Sequence, residues 1–89
     1  MEQNLKKLLK SKLARDIVRF FHQNQGSIDT VSGVSAWVQK DKKEVKKALD
    51  RLVREGVLEE HSEAGTKGYC YTRDKKMMDK IEKSAEEGL

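Results

Sequence analysis

The chain contains no proline, so nothing in its 89 residues imposes a proline kink or an X–Pro cis bond. Its single cysteine, Cys70, excludes an internal disulfide framework and fits a reducing compartment. No apolar run approaches the roughly 20 residues needed to cross a bilayer. Lysines interrupt the N-terminal leucines where a signal peptide needs an unbroken apolar stretch. The expected location is the cytoplasm. Low-complexity tracts and internal repeats are also missing. Histidine is scarce, and His22, His61 and Cys70 are spread along the chain. They form neither the closely spaced ligands of a metal sensor nor a nucleophile, base and acid set. Glu59-Glu60 reads as a solvated strand face and not as a carboxylate dyad. The sequence therefore predicts no enzyme, no metal and no cofactor.

What is present is charge, and it is segregated. Charged residues make up 38% of the chain and its net charge is +4. Residues 40–54 hold seven Lys/Arg against three acids, and residues 2–15 hold five against one. Residues 55–63 instead carry four glutamates and no Lys or Arg. Such a layout favours an anionic partner for some faces and not for others. At this length one modest core is feasible, so residues 1–89 are expected to form a single domain.

The most informative stretch is Asp41 to Leu58, DKKEVKKALDRLVREGVL. Val45, Ala48, Leu49, Leu52 and Val53 recur at helical spacing and define one apolar stripe. Asp41 and Glu44, three apart, suit an N-cap and its reciprocal partner. Gly56 sits where a left-handed residue ends a helix. Lys42, Lys43, Lys46, Lys47, Asp50, Arg51 and Arg54 form the outward face. Lysines in a first turn oppose the positive end of the helix dipole, at some tenths of a kcal/mol each. A polyanion outside the helix would reverse that sign; a solvated lysine face is the bland alternative.

Upstream, Leu5, Leu8, Leu9, Leu13, Ile17, Phe20 and Phe21 predict one helix over residues 3–24, with Gly26 past its end. Its first half, NLKKLLKSKL, is expected to lie on a partner subunit more readily than on a membrane, since it has no aromatic anchor. Ser27-Ile28-Asp29 allows one strand pair, with Ile28 inward. Asp29 or Thr30 caps a second helix through about Lys40, locally irregular because of Ser32 and Gly33, with Val31, Val34 and Val38 buried. Trp37 is expected in or beside the core. Downstream, Val57–His61 and Tyr69–Thr72 read as an antiparallel hairpin around a loop at 62–68. Tyr69 and Tyr71 share one face and Cys70 takes the other. A last helix, about Asp74 to Glu87, buries Met77, Met78, Ile81 and Ala85; with Arg73 just before it, its charges cancel.

Two helices joined by the three-residue turn Gln39-Lys40-Asp41 form a helix-turn-helix pattern. The phrase EVKKALDRLVREGVLEE…GYCYT resembles the helix-to-wing segment of winged helix-turn-helix domains. Val45, Leu49, Leu52 and the step Gly56-Val57-Leu58 carry the likeness, which spans about residues 13–85. Ser35 stands at the usual small position of the second helix. Gln39 and Lys40 replace the usual glycine and apolar residue of the turn. The resemblance implies an α+β, mostly helical fold: a three-helix core, a two-stranded wing (57–72) and an extra C-terminal helix (73–89), preceded by an N-terminal extension (1–12). It further implies a DNA-binding protein of the transcription-regulator kind, with a recognition helix at about 42–55 in the major groove of double-stranded DNA. Lys40, Lys42, Lys43, Lys46, Lys47 and Arg51 would supply contacts from the helix, and Thr66 and Lys67 from the wing tip. Lysine suits phosphate better than bases. A homodimer through the N- and C-terminal helices is expected. The alternative is a protein-interaction module that uses Trp37 or the acidic wing; RNA is a third partner class.

Overall fold

Ser11 divides what leucine periodicity presents as one long helix. The computed structural model describes residues 2–84, and α1 spans Glu2–Leu8 whereas α2 spans Lys12–Gln23. At Ser11 the backbone is extended, and its hydroxyl accepts the Ala14 N–H at 3.3 Å, a serine N-cap in mid-pattern. The break lets α1 pack on the last helix of the same chain. Leu5 and Leu9 are thereby buried in the chain's own core, with Leu8 packed at its margin. The apolar side expected to await a partner subunit is thus largely covered from within. In α2, Ile17, Val18 and Phe21 are fully buried, and Asn24 closes the helix by donating its Nδ2 to the Phe20 carbonyl at 2.7 Å.

Helix α3, Val31–Val38, begins at Thr30, whose hydroxyl accepts the Gly33 N–H at 3.1 Å. It is a regular two-turn helix and not the irregular element predicted. Gly33 is tolerated because a side chain has no room there: an added Cβ would lie 1.9 Å from Asp29 Oδ1. That carboxylate is itself held by the Thr30 N–H at 2.8 Å. Asp29 forms the expected single strand pair, exchanging both backbone hydrogen bonds with Tyr69 at 2.8 and 2.9 Å. Ile28, however, does not point inward. It is 61% exposed and lies over Gly68, where an added Cβ would meet its Cγ2 at 2.6 Å. Trp37 sits beside the core, half-exposed, with its ring 4.8 Å from that of Phe20.

The turn into the next helix lacks glycine, so Gln39 takes the left-handed conformation itself, at φ 58°. The buried Ser35 secures it, donating its hydroxyl to the Lys40 carbonyl. Helix α4, Lys42–Arg54, is capped by the Asp41 carboxylate, which accepts the Lys43 N–H at 3.2 Å. It ends as predicted. Gly56 is left-handed at φ 81°, its N–H donates to the Val53 carbonyl, and the Val57 N–H donates back to the Leu52 carbonyl at 2.9 Å. This is a Schellman closure, and it drops Val57 and Leu58 straight into the core.

Strand β1 (Leu58–Glu63) pairs antiparallel with β2 (Thr66–Tyr71), Leu58 opposite Tyr71 and Glu63 opposite Thr66. The connection is only Ala64-Gly65, both at positive φ, so the predicted loop at 62–68 is mostly strand. Tyr69 and Tyr71 do share a face and are buried. Helix α5, Lys75–Ser84, starts where the Asp74 carboxylate accepts the Lys76 N–H at 2.9 Å. Ile81 is buried and Met77 and Met78 pack against the core; Ala85 lies outside the described residues. No helix among the described residues is long and apolar enough to cross a membrane.

The Tyr71 hydroxyl meets His22 Nδ1 at 3.3 Å, and burial, aided by Glu82, pushes its phenol up to about 12. An unfolded tyrosine titrates near 10. Tyr71 therefore supports the fold fully below about pH 10 and loses that support as pH rises toward 12. Urea midpoints measured across this range should fall with pH, and Tyr71→Phe should flatten the fall.

Candidate nucleic-acid interface

Helix α4 is held from behind by Val45, Ala48, Leu49 and Leu52, all buried. At about 100° per residue, Lys43, Lys47, Asp50 and Arg54 point directly away from that stripe. Lys46 turns toward the hairpin, and Glu44 and Arg51 turn toward α1. The six sequence-predicted cations of the turn and helix, Lys40, Lys42, Lys43, Lys46, Lys47 and Arg51, are all exposed. They do not form one uniform row.

Lys46 is engaged within the protein. Its Nζ lies 3.1 Å from Asp50 Oδ2, and the other Asp50 oxygen accepts from the Tyr69 hydroxyl at 3.5 Å. The hydrogen bond and charge of Asp50 hold the Lys46 ammonium above its usual range. Burial first, then Asp50, push the Tyr69 phenol up. Asp50 is thus a link between helix and wing more than a free acceptor for a base.

Lys47 and Arg51 border a cleft of about 550 Å³ between α4 and the α1–α2 junction. Its floor includes Leu8, Leu13 and Ala48, and Glu44 lies on its wall instead of being needed at the cap. Lys42 and Lys43 stand clear at the exposed start of α4.

On the hairpin, Thr66 and Lys67 are not the tip. Ala64-Gly65 occupies that place, because the two strands pair to within two residues of each other. Lys67 Nζ instead lies 3.4 Å from Glu60 Oε1, on the same face as Tyr69.

The register also corrects the reading that the metal-capable residues are scattered. Glu59 and Cys70 are a cross-strand pair and His61 follows on the same face, so their donor atoms lie within 4.8 Å of one another. His22 remains apart, against Tyr71. Burial and Glu59 push the Cys70 thiol up, while Arg73 pulls it down. The signal in the sequence was the alternation of 59 and 61, which needs the turn at 64–65 before its partner can be known.

This arrangement, α2, α3 and α4 around one core with a paired hairpin after α4, is a winged helix-turn-helix. No protein-family model matches the chain, and no curated protein matches it in sequence. Solved structures do match in fold. Reduced HlyU from Vibrio cholerae shares 18% identity over 92% of this chain and 85% of its own, with a TM-score of 0.69. A possible transcriptional regulator from Methanosarcina mazei shares 15% identity over 96% and 76%, at 0.72. A protein from the thermoacidophilic archaeon Sulfolobus tokodaii shares 11% over 94% and 86%, at 0.71. All three have the winged-helix type of fold.

Proposed function

We propose that the protein is a small cytoplasmic DNA-binding regulator that docks α4 in the major groove of double-stranded DNA and lays the β1–β2 hairpin along the flanking backbone. The observation that carries this reading is the exposed start of α4. Lys42 and Lys43 stand there in the first turn, against the helix's own dipole, with Lys47 one turn on. A phosphate backbone turns that local cost into attraction. Lys40, Lys46, Lys47 and Arg51 extend the cationic surface to the turn and to both flanks of the helix. Affinity then rests on phosphate contacts, because no Asn or Gln lies on the outward face of α4 to read adenine. Lys67 and Thr66 contribute from the side of the wing, and Glu59, Glu60 and Glu63 keep the hairpin from deep insertion. A homodimer joined through the outer sides of α1 and α5, the apolar side of α1 being covered within the chain, would present two α4 helices to successive major grooves, about one DNA turn apart.

The direct test is affinity for mixed genomic DNA as a function of salt. Neutralising about four phosphates predicts a log–log slope near −3.6, and roughly a hundredfold loss between ~50 and ~200 mM salt. Absence of binding at the low-salt end would reject the DNA role and favour a protein partner, for which half-exposed Trp37 is the anchor on offer.

A further inference from the structure

Glu59 and His61 of β1 and Cys70 of β2 converge on one face of the hairpin. We propose that Glu59, His61 and Cys70 form a binding site for a zinc ion on the wing, with the exposed His61 at its mouth and the buried Cys70 at its base. The three supply a carboxylate oxygen, an imidazole nitrogen and a thiolate, a donor set suited to a borderline-soft divalent ion. Their donor atoms all lie within 4.8 Å of one another, and His61 Nε2 is already 3.7 Å from Glu59 Oε1. Zinc bonds of about 2.0–2.3 Å in tetrahedral geometry separate donors by roughly 3.3–3.8 Å. Closing the site thus takes about 1 Å of side-chain rotation and no movement of the paired strands.

The surroundings orient the ligands. Glu59 Oε2 accepts the Arg73 backbone N–H at 3.1 Å, which fixes the carboxylate and leaves Oε1 toward His61. Opposite His61 the partner strand has only Gly68, so that strand places no side chain beside the imidazole. Ile28 covers that glycine and gives the site an apolar flank. Three protein ligands leave a fourth position for water. The competitor is Arg73, whose guanidinium Nε lies 3.9 Å from Glu59 Oε1 and must yield that oxygen to the ion. On binding, the Cys70 proton passes to solvent, so a doubly charged ion makes the acidic wing less negative by about one unit.

The experiment is a titration of the reduced full chain with cobalt(II), followed by displacement with zinc. One equivalent of cobalt should produce a sulfur-to-cobalt charge-transfer band and the intense visible bands of a tetrahedral site, and zinc should abolish both. Cys70→Ser should remove the charge-transfer band. His61→Ala, a change at an exposed position, should leave the circular dichroism intact and weaken zinc binding at least about tenfold. Arg73→Ala should tighten it, which a chance surface thiol site would not show. Failure of the full chain to give a charge-transfer band, or equal zinc affinity in His61→Ala, would overturn the assignment.

Discussion

Reversal of Lys43 and Lys46 to glutamate is expected to abolish DNA binding while leaving the fold in place. A phosphate contact at Lys43, in the exposed first turn, and a second at Lys46, on the hairpin flank of α4, both become repulsions. Such like-charge placement costs several kcal/mol, which is a loss of about a hundredfold or more in affinity. The helix itself tolerates the change for reasons visible in the structure. Glutamate at 43 enters the first turn, where the dipole favours it. Glutamate at 46 forfeits the exposed pair with Asp50 and repels it, each a matter of tenths of a kcal/mol. Gel-shift or fluorescence anisotropy beside circular dichroism separates the two effects. Unchanged affinity in a folded double variant would refute the placement of α4 on DNA.

The opposite face of the same helix predicts the largest effect on stability. Leu49 is fully buried between α4 and the rest of the core. Truncation to alanine should cost about 2–5 kcal/mol through lost transfer energy and a residual cavity. For a domain of this size each kcal/mol corresponds to roughly 4–8 °C in Tm. A loss of about 3 kcal/mol would therefore lower the midpoint by about 12–24 °C. Scanning calorimetry of Leu49→Ala provides the check, and a shift of only a few degrees would mean that α4 is not anchored as described. DNA affinity at temperatures well below the new midpoint should change little. Loss of stability and loss of binding are thus assigned to different faces of one helix.

Where local chemistry decides, the sequence was a good guide. Asp41, the spacing of Val45 through Leu52, and Gly56 define both ends and the buried side of α4 without tertiary help, and the structure has all three in those roles. The order of helices, turn and hairpin followed in the same way. The misreadings share a physical cause. Ser11 sits among lysines in an unbroken leucine pattern, and only packing of α1 on α5 makes a cap preferable to a continued helix there. Hydrophobicity points Ile28 inward, but it lies exposed over Gly68, 40 positions away in the chain, in space that the missing side chain leaves open. The hairpin tip was misplaced because Ala64 adopts a positive φ usually left to glycine or asparagine. With the tip went the register, and with the register went the meeting of Glu59, His61 and Cys70. Pairwise proximity across strands depends on one turn. Charge on a helix face does not, which is why the lysines of α4 were visible and the wing cluster was not.

The chain of contacts from Lys46 through Asp50 to the Tyr69 hydroxyl joins the middle of α4 to the returning strand of the hairpin. Tyr69 is fully buried and also bonded through its backbone to Asp29, so that strand is tied both to α4 and to the segment that enters α3. In the proposed complex, helix and hairpin would then act like the fixed jaws of a caliper. The protein would not adjust its span to the duplex; the duplex would supply a matching distance between groove and flanking backbone. Sequences that already hold this width would bind with less deformation, and preference would arise at base pairs that no side chain touches.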